Sequence, residues 1–367
     1  MPQPSFRTLL DSKSKLRWLD DPAINGEPDA EALDPAITPV EAFFVRNNGD
    51  MPAETDPEAW QLEVGGEVHR SRIFTIKDLK ERFPVESVTA VLECAGNGRA
   101  FLTPPVSGAQ WRHGAVGCAR WTGVRMRDVL EEAGLTASAV YSAHHSPDRS
   151  LGGHGDGPAM SRGIPIAKAL APETLLAFGM NDRPLPPLHG GPLRVVVPGY
   201  PGSAWQKWLQ RLDVRDREHD GEKMTGTDYR LPVQALRPGD PLDGTAFTVI
   251  TDMPVKSLIT QPAADFVHPA GRPLAIAGWA WSGAAPVSSV RVSADGGFNW
   301  SPATLADAGE PFAWRRFTSV LTPPQGQVTL MAQATDNEGK AQPVSEAPWN
   351  PRGYCNNLVQ RVGGRVI

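Results

Sequence analysis

Cysteine is scarce, with three in 367 residues, at positions 94, 118 and 355. They form no close pair, so no disulfide framework is expected. They also match no zinc spacing and no Cys-x-x-Cys-His haem-attachment motif. A His-Pro-Gly-Gly haem-domain motif is missing as well, so no haem is expected. No apolar run approaches the roughly 20 residues that span a bilayer, which predicts a soluble chain with no membrane partner. Charge of one sign is not in excess. A net charge of -5 gives no general attraction to nucleic acid, so any chemistry on an anion must come from arginines gathered locally. Nor does Met1-Pro-Gln-Pro-Ser-Phe-Arg7 have the charged start, apolar core and small-residue cleavage site of a secretory leader. The chain reads as cytoplasmic, and a periplasmic protein trimmed of its leader would read the same.

The length exceeds what one typical core organises, so two domains are expected. The first 40 residues are rich in Pro, Asp and Ala without sustained periodicity, and read as an extended arm over a core. Mixed helix and strand signals follow. Trp60–Val68 reads as a strand. Thr75–Phe83 reads as a helix with Ile76, Leu79 and Phe83 on one face, and Trp121–Gly134 as a turn followed by a helix that Gly134 ends. From about residue 246 the texture changes to short strands at regular intervals, including Leu274–Trp281, Val287–Ser293 and Val328–Ala334, with Ala294-Asp-Gly-Gly-Phe-Asn-Trp300 as a hairpin. The predicted architecture is an α+β domain over 1–245 and an antiparallel β-sandwich over 246–367.

Three stretches carry chemistry. Val91-Leu-Glu-Cys-Ala-Gly-Asn-Gly-Arg99 places a cysteine at the end of an apolar strand, before a Gly-Asn-Gly turn that lets backbone approach a ligand. A thiolate there suits a soft transition metal and Arg99 suits an anion, although an inert buried thiol fits the same local pattern. Val195-Val-Val-Pro-Gly-Tyr-Pro-Gly-Ser-Ala-Trp-Gln-Lys207 is an apolar strand, then a Gly-rich turn exposing N–H donors, then a cation: a phosphate-binding combination. The loop 141–161 holds His144, His145, His154, Asp148 and Asp156, but their spacing matches no known metal triad. The segment Val214–Thr227 is charged and reads as exposed. Cys118 reads as a packing residue.

The run from Val91 to Val129, including Gly108-Ala-Gln-Trp111 and Gly117-Cys-Ala-Arg-Trp-Thr-Gly-Val124, closely resembles the molybdopterin domain of the sulfite oxidase family. That resemblance implies that Cys94 is the protein's ligand to molybdenum, held otherwise by a molybdopterin cofactor. Gly98 stands where the family motif has an arginine. The resemblance also implies that Phe44, Arg46, Asn47, His189, Arg194, Ser203 and Lys207 contact the cofactor, and that one aspartate of the 141–161 loop binds the pterin, with Asp148 and Asp156 both open. Asn48 replaces a family histidine. Arg46, Arg99, Trp111, Tyr229 and Arg352 are implied to line the substrate pocket. The second domain matches the immunoglobulin-like domain that carries the family's dimer contact, so a homodimer is expected.

What the resemblance implies is oxidation of sulfite, or a similar small oxyanion, to sulfate, with electrons passed to cytochrome c or oxygen. Nitrate or S- or N-oxide reduction is the alternative within the family. Arg352 favours the sulfite reading. An adhesion module on a catalytically dead scaffold is the alternative outside it.

Overall fold

The computed structural model describes residues 6–19, 23–53, 55–151 and 157–367. His154 and Asp156 of the histidine-rich loop lie outside the described residues.

Two mostly antiparallel sheets share the first core. In one, the nine-residue strand Val85–Glu93 pairs along its whole length with Val116–Arg125, which pairs in turn with Leu175–Met180; Arg194–Val196 lies against the last. The other runs in the order Arg72–Thr75, Gln61–Gly66, Arg211–Arg215, Tyr141–His145, Arg162–Pro165, with Gln61–Gly66 and Arg211–Arg215 parallel. Apolar side chains from both, among them Leu62, Val64, Phe74, Trp121, Val124 and Leu176, form one cluster.

The helix Ile76–Arg82 starts where Thr75 and Asp78 satisfy each other's backbone N–H groups in a capping box. The helix Met126–Ala133 stops at Gly134, which has φ 76°. Trp121 does not open a turn, as predicted, but lies inside the ten-residue strand Val116–Arg125, its indole N–H donating to Ala90 O at 3.3 Å. Alternating small residues around it hid the strand's period. The strand Arg162–Pro165 runs directly into a one-turn helix, Ile166–Ala169.

The second half is a two-layer sandwich. One sheet holds Lys256–Gln261, Leu274–Trp281, Arg315–Leu321 and Thr304–Leu305; the other holds Phe266–His268, Arg361–Val366, Gly326–Asp336, Val287–Ser293 and Ser301–Pro302. Their inward faces, including Ile276, Phe317, Val290, Leu330 and Val362, make a separate core.

The two cores meet at a third cluster. Trp279, Trp281 and Trp314 of the sandwich pack on Val91, Val116 and Cys118, and Trp279 stacks on Trp314 at 5.2 Å between ring centroids. Cys118 is thus a buried interface residue, its thiol pushed up to about 12 by burial, in keeping with a packing role. Gly199 and Gly283 approach so closely that a Cβ on Gly199 would come within 2.6 Å of Gly283 O.

Candidate active site

Cys94 follows directly on the strand Val85–Glu93, its N–H donating to Ala115 O at 2.9 Å and its carbonyl accepting from Asn97 N–H at 2.9 Å. The turn beyond it has Gly98 at φ 92°, where a Cβ would come within 3.2 Å of Asn356 O, so a side chain at this departure from the family motif would be strained in this backbone. The thiol lies where two cavities join. Burial raises its pKa, opposed by the guanidinium groups of Arg46 and Arg99. A bound metal cation would shift that balance to the thiolate.

The inner cavity holds about 660 Å³ of space and is lined by Phe43, Phe44, Cys94, Asp148, His189, Arg194, Ser203, Gln206 and Lys207, among others. Arg194 donates to His189 O and Trp205 O, both at 2.8 Å, which braces the two walls. Lys207 donates to Leu188 O at 3.1 Å and to Asn47 Oδ1, and lies 4.1 Å from the centroid of the Trp208 ring. Lys207 can lie along His189 because Gly190 intervenes with φ 97°; a Cβ there would meet Lys207 Cβ at 2.7 Å. Asn47 holds Lys207 from behind and is not on the cavity wall. Burial drives the pKa of Lys207 well below its ordinary value and lowers that of Arg194. Among the described residues neither forms an ion pair.

Buried cations without counterions are costly unless an anion completes them. Ser203 Oγ and Gln206 Oε1, also on the wall, are buried without a hydrogen-bond partner. In the same turn as Ser203, a Cβ at Gly202 would come within 3.2 Å of Glu93 O and 3.7 Å of Cys94 Cα, so the turn packs tightly on the strand end that carries the thiol. Unused polar atoms, unpaired cations and a thiol at one end fit a phosphorylated, metal-chelating pterin. Asp148 faces the same space, its carboxyl raised by burial.

The arm holds a residue that sequence reasoning missed. Lys13 is 2% exposed, and its ammonium meets His189 Nε2, Val40 O and, at 3.2 Å, Phe43 O. While Lys13 is an ammonium it can only donate, and in that state Nε2 of His189 is the acceptor and the ring proton sits on Nδ1.

The outer pocket, about 1660 Å³ and open to solvent, is lined by Arg46, Arg99, Trp111, Tyr229 and Arg352, with Cys94 also on its wall. Arg46 donates to Asn25 Oδ1 at 3.2 Å and Asn48 Oδ1 at 3.0 Å. Arg99 is fixed by Ala109 O at 2.7 Å and Arg352 O at 2.8 Å, the latter from the segment that follows the sandwich's long strand. Trp111 is fully buried with its indole N–H unpartnered. Tyr229, at φ 50°, stacks on Tyr354 at 5.1 Å. Arg352 has a carboxylate of its own, Asp228, at 2.8 Å.

The segment Val214–Thr227, expected to be exposed, is partly folded in: His219 and Met224 are buried, and Lys223 lines the outer pocket. His144 and His145 sit on the strand Tyr141–His145 and serve a hydrogen-bond cluster with Ser142, Ser161 and His219. No group of three metal-ligating side chains occurs among the described residues.

Comparison with known proteins gives the same outline. Residues 48–223 match the oxidoreductase molybdopterin binding domain, and residues 247–366 match the Mo-co oxidoreductase dimerisation domain. Sulfite oxidase of Gallus gallus is 36% identical over 349 residues, 92% of this chain and 75% of that one. Mitochondrial sulfite oxidase of Mus musculus is 35% identical over 94% of this chain, which spans 64% of the mouse protein. The sulfane dehydrogenase SoxCD of Paracoccus pantotrophus superposes with a TM-score of 0.82 at 28% identity, covering 99% of this chain and 90% of that one. With a cysteine set between a cation-lined slot and an arginine-rich pocket, and with relatives aligned along nearly its whole length, the chain belongs to the sulfite oxidase family of molybdopterin oxidoreductases.

Proposed function

We propose that this protein oxidises sulfite to sulfate and passes the electrons to an external acceptor, cytochrome c or oxygen, as a homodimer joined through the sandwich domain. The observation that carries this reading is the position of Cys94, on the wall of both a slot with unpaired cations and a pocket with three arginines. When bound, the molybdenum centre supplies oxygen-atom transfer and takes up two electrons.

Cys94 provides the thiolate ligand, a soft donor suited to that metal. Arg194 and Lys207 hold the phosphate of the pterin, and His189, Ser203 and Phe44 line its slot, with Asn47 acting through Lys207. Arg46, Arg99 and Arg352 draw the oxyanion into the outer pocket with forked, charge-assisted hydrogen bonds. Trp111 and Tyr229 close its sides. The protein's contribution is placement and charge, with the electronic work left to the cofactor.

The test is a steady-state assay of molybdenum-loaded protein with sulfite against ferricyanide, cytochrome c and oxygen, alongside nitrate and sulfoxides in the reducing direction. Sulfite turnover with at least one acceptor is expected. Turnover confined to nitrate or a sulfoxide would replace this reading with the reductase one.

A further inference from the structure

Lys223 occupies an unfavourable backbone conformation for a side-chain-bearing residue, φ 62°. Several contacts hold it there. The guanidinium of Arg162, 1% exposed and 5.0 Å from the centroid of the Tyr229 ring, donates to Lys223 O. On either side, Ser161 N–H donates to Glu222 O at 3.1 Å and Met224 N–H to Gly221 O at 3.0 Å. The result aims the lysine into the outer pocket that Cys94, Arg46 and Arg352 line. Its ammonium donates to Asn48 Oδ1 at 2.8 Å, the oxygen that also accepts from Arg46 at 3.0 Å and from Tyr229 Oη at 3.4 Å.

One amide oxygen therefore gathers two cations and the tyrosine on one side of the pocket. Among the described residues Lys223 makes no ion pair. Arg46 and Arg352 repel its charge, Asp228 and Asp148 favour it at longer range, and burial lowers its pKa to about 8. An ammonium has three donors and Asn48 takes one, so the others are free for a ligand. A backbone held in a rare conformation by a buried arginine, to bring a cation beside like charges, has a clear use only if an anion arrives between them.

We propose that Lys223 is a fourth cationic contact for the substrate oxyanion, set in place by Asn48, and that it biases the pocket toward a doubly charged anion over a singly charged one. This rests on the reading of the outer pocket as an oxyanion site. Asn48 is a positioning residue, since it acts through Lys223, Arg46 and Tyr229.

The experiment uses molybdenum-loaded wild type, Lys223→Met and Lys223→Arg, with molybdenum content measured for each. Equilibrium binding of sulfate and of nitrate is followed by titration calorimetry, and sulfite kinetics are recorded in parallel. Lys223→Met should weaken sulfate binding and raise the sulfite KM by roughly 10- to 100-fold, with kcat within about threefold, and should weaken nitrate binding less. Lys223→Arg should recover most of the affinity. Should the methionine variant load poorly, Lys223→Gln, which keeps a donor for Asn48, is compared instead. Unchanged sulfate affinity in a fully loaded variant would overturn the proposal while leaving the sulfite reaction intact. If the wild type bound sulfate through Lys223 but failed to oxidise sulfite, the reaction would be wrong and the lysine's role upheld.

Discussion

The ammonium of Lys256, on the first strand of the sandwich, lies 2.9 Å from the carboxylate of Glu93, the residue before Cys94, and both side chains are almost wholly buried. The same carboxylate accepts from Trp281 Nε1 at 2.8 Å and Asn97 Nδ2 at 3.0 Å, and Lys256 also donates to Asn97 O at 3.2 Å. The second domain thus fixes the strand end and turn that present the thiol. Removing one partner of a buried, hydrogen-bonded pair costs about 3–5 kcal/mol, because the other charge stays buried without compensation. Lys256→Met should therefore lower stability by that order in urea unfolding and reduce molybdenum content. Unchanged stability would show that water or a rearranged Asn97 replaces the lysine.

Cys94→Ser should retain the fold and much of the pterin while losing more than nine-tenths of kcat. A serine oxygen is a harder and weaker donor than a thiolate, and the slot's cations are elsewhere. Cys118→Ala and Cys355→Ala should keep full molybdenum content, since one packs between the domains and the other packs against the Ala95, Tyr229 and Tyr354 cluster and lines neither cavity. Metal analysis of the three variants decides which cysteine is the ligand.

Arg352→Met should lower kcat/KM for sulfite by roughly 30- to 1000-fold, mostly through KM, with molybdenum content unchanged. The pairing with Asp228 adds a second effect. The substitution uncovers a carboxylate at the pocket mouth, which repels the anion. Replacing Asp228 by Asn in the same chain should restore part of the loss, and steady-state kinetics of the single and double variants measure it.

Buried lysines give the cofactor-free protein a characteristic pH dependence. Burial lowers Lys13 to about 7 and Lys223 to about 8, against 10.5 when exposed. Between those values and 10.5 the unfolded chain binds more protons than the folded one, so stability rises with pH over that window. From pH 7 to pH 9 these two lysines should add on the order of 2–4 kcal/mol, with the more exposed Lys223 contributing less than its shift suggests, and Lys207, also lowered by burial, acts in the same direction. Urea midpoints at pH 7, 8 and 9 check this, and Lys13→Met should flatten the slope. A flat wild-type profile would mean that Lys13 stays charged in the fold.

Much of this was readable in the chain. The strand into Cys94, the Gly-rich turn before Lys207 and the regular strands after residue 246 carry local signals of period and turn chemistry, and these appear where expected. What the sequence hid depends on contacts between distant segments. Lys13 lies in an arm without periodicity, and only its burial against His189, 176 residues away, gives it meaning. Lys223 sits in a charged stretch that reads as solvated, and a buried arginine brings it into the pocket. Arg352 matched a pocket position, but its partner Asp228 could not be foreseen, since pairing across 124 residues leaves no local trace.

The near-contact of Gly199 with Gly283 has a kinetic meaning. Two backbones meet there without side chains between them, and the tryptophan cluster and the Glu93–Lys256 pair lie on the same seam. The expectation that follows is a pocket that takes its anion without a hinge between the domains, through the electric field of the cations around it. Capture of the anion should then slow steeply as salt is added, in the way of an encounter steered by charge rather than gated by motion.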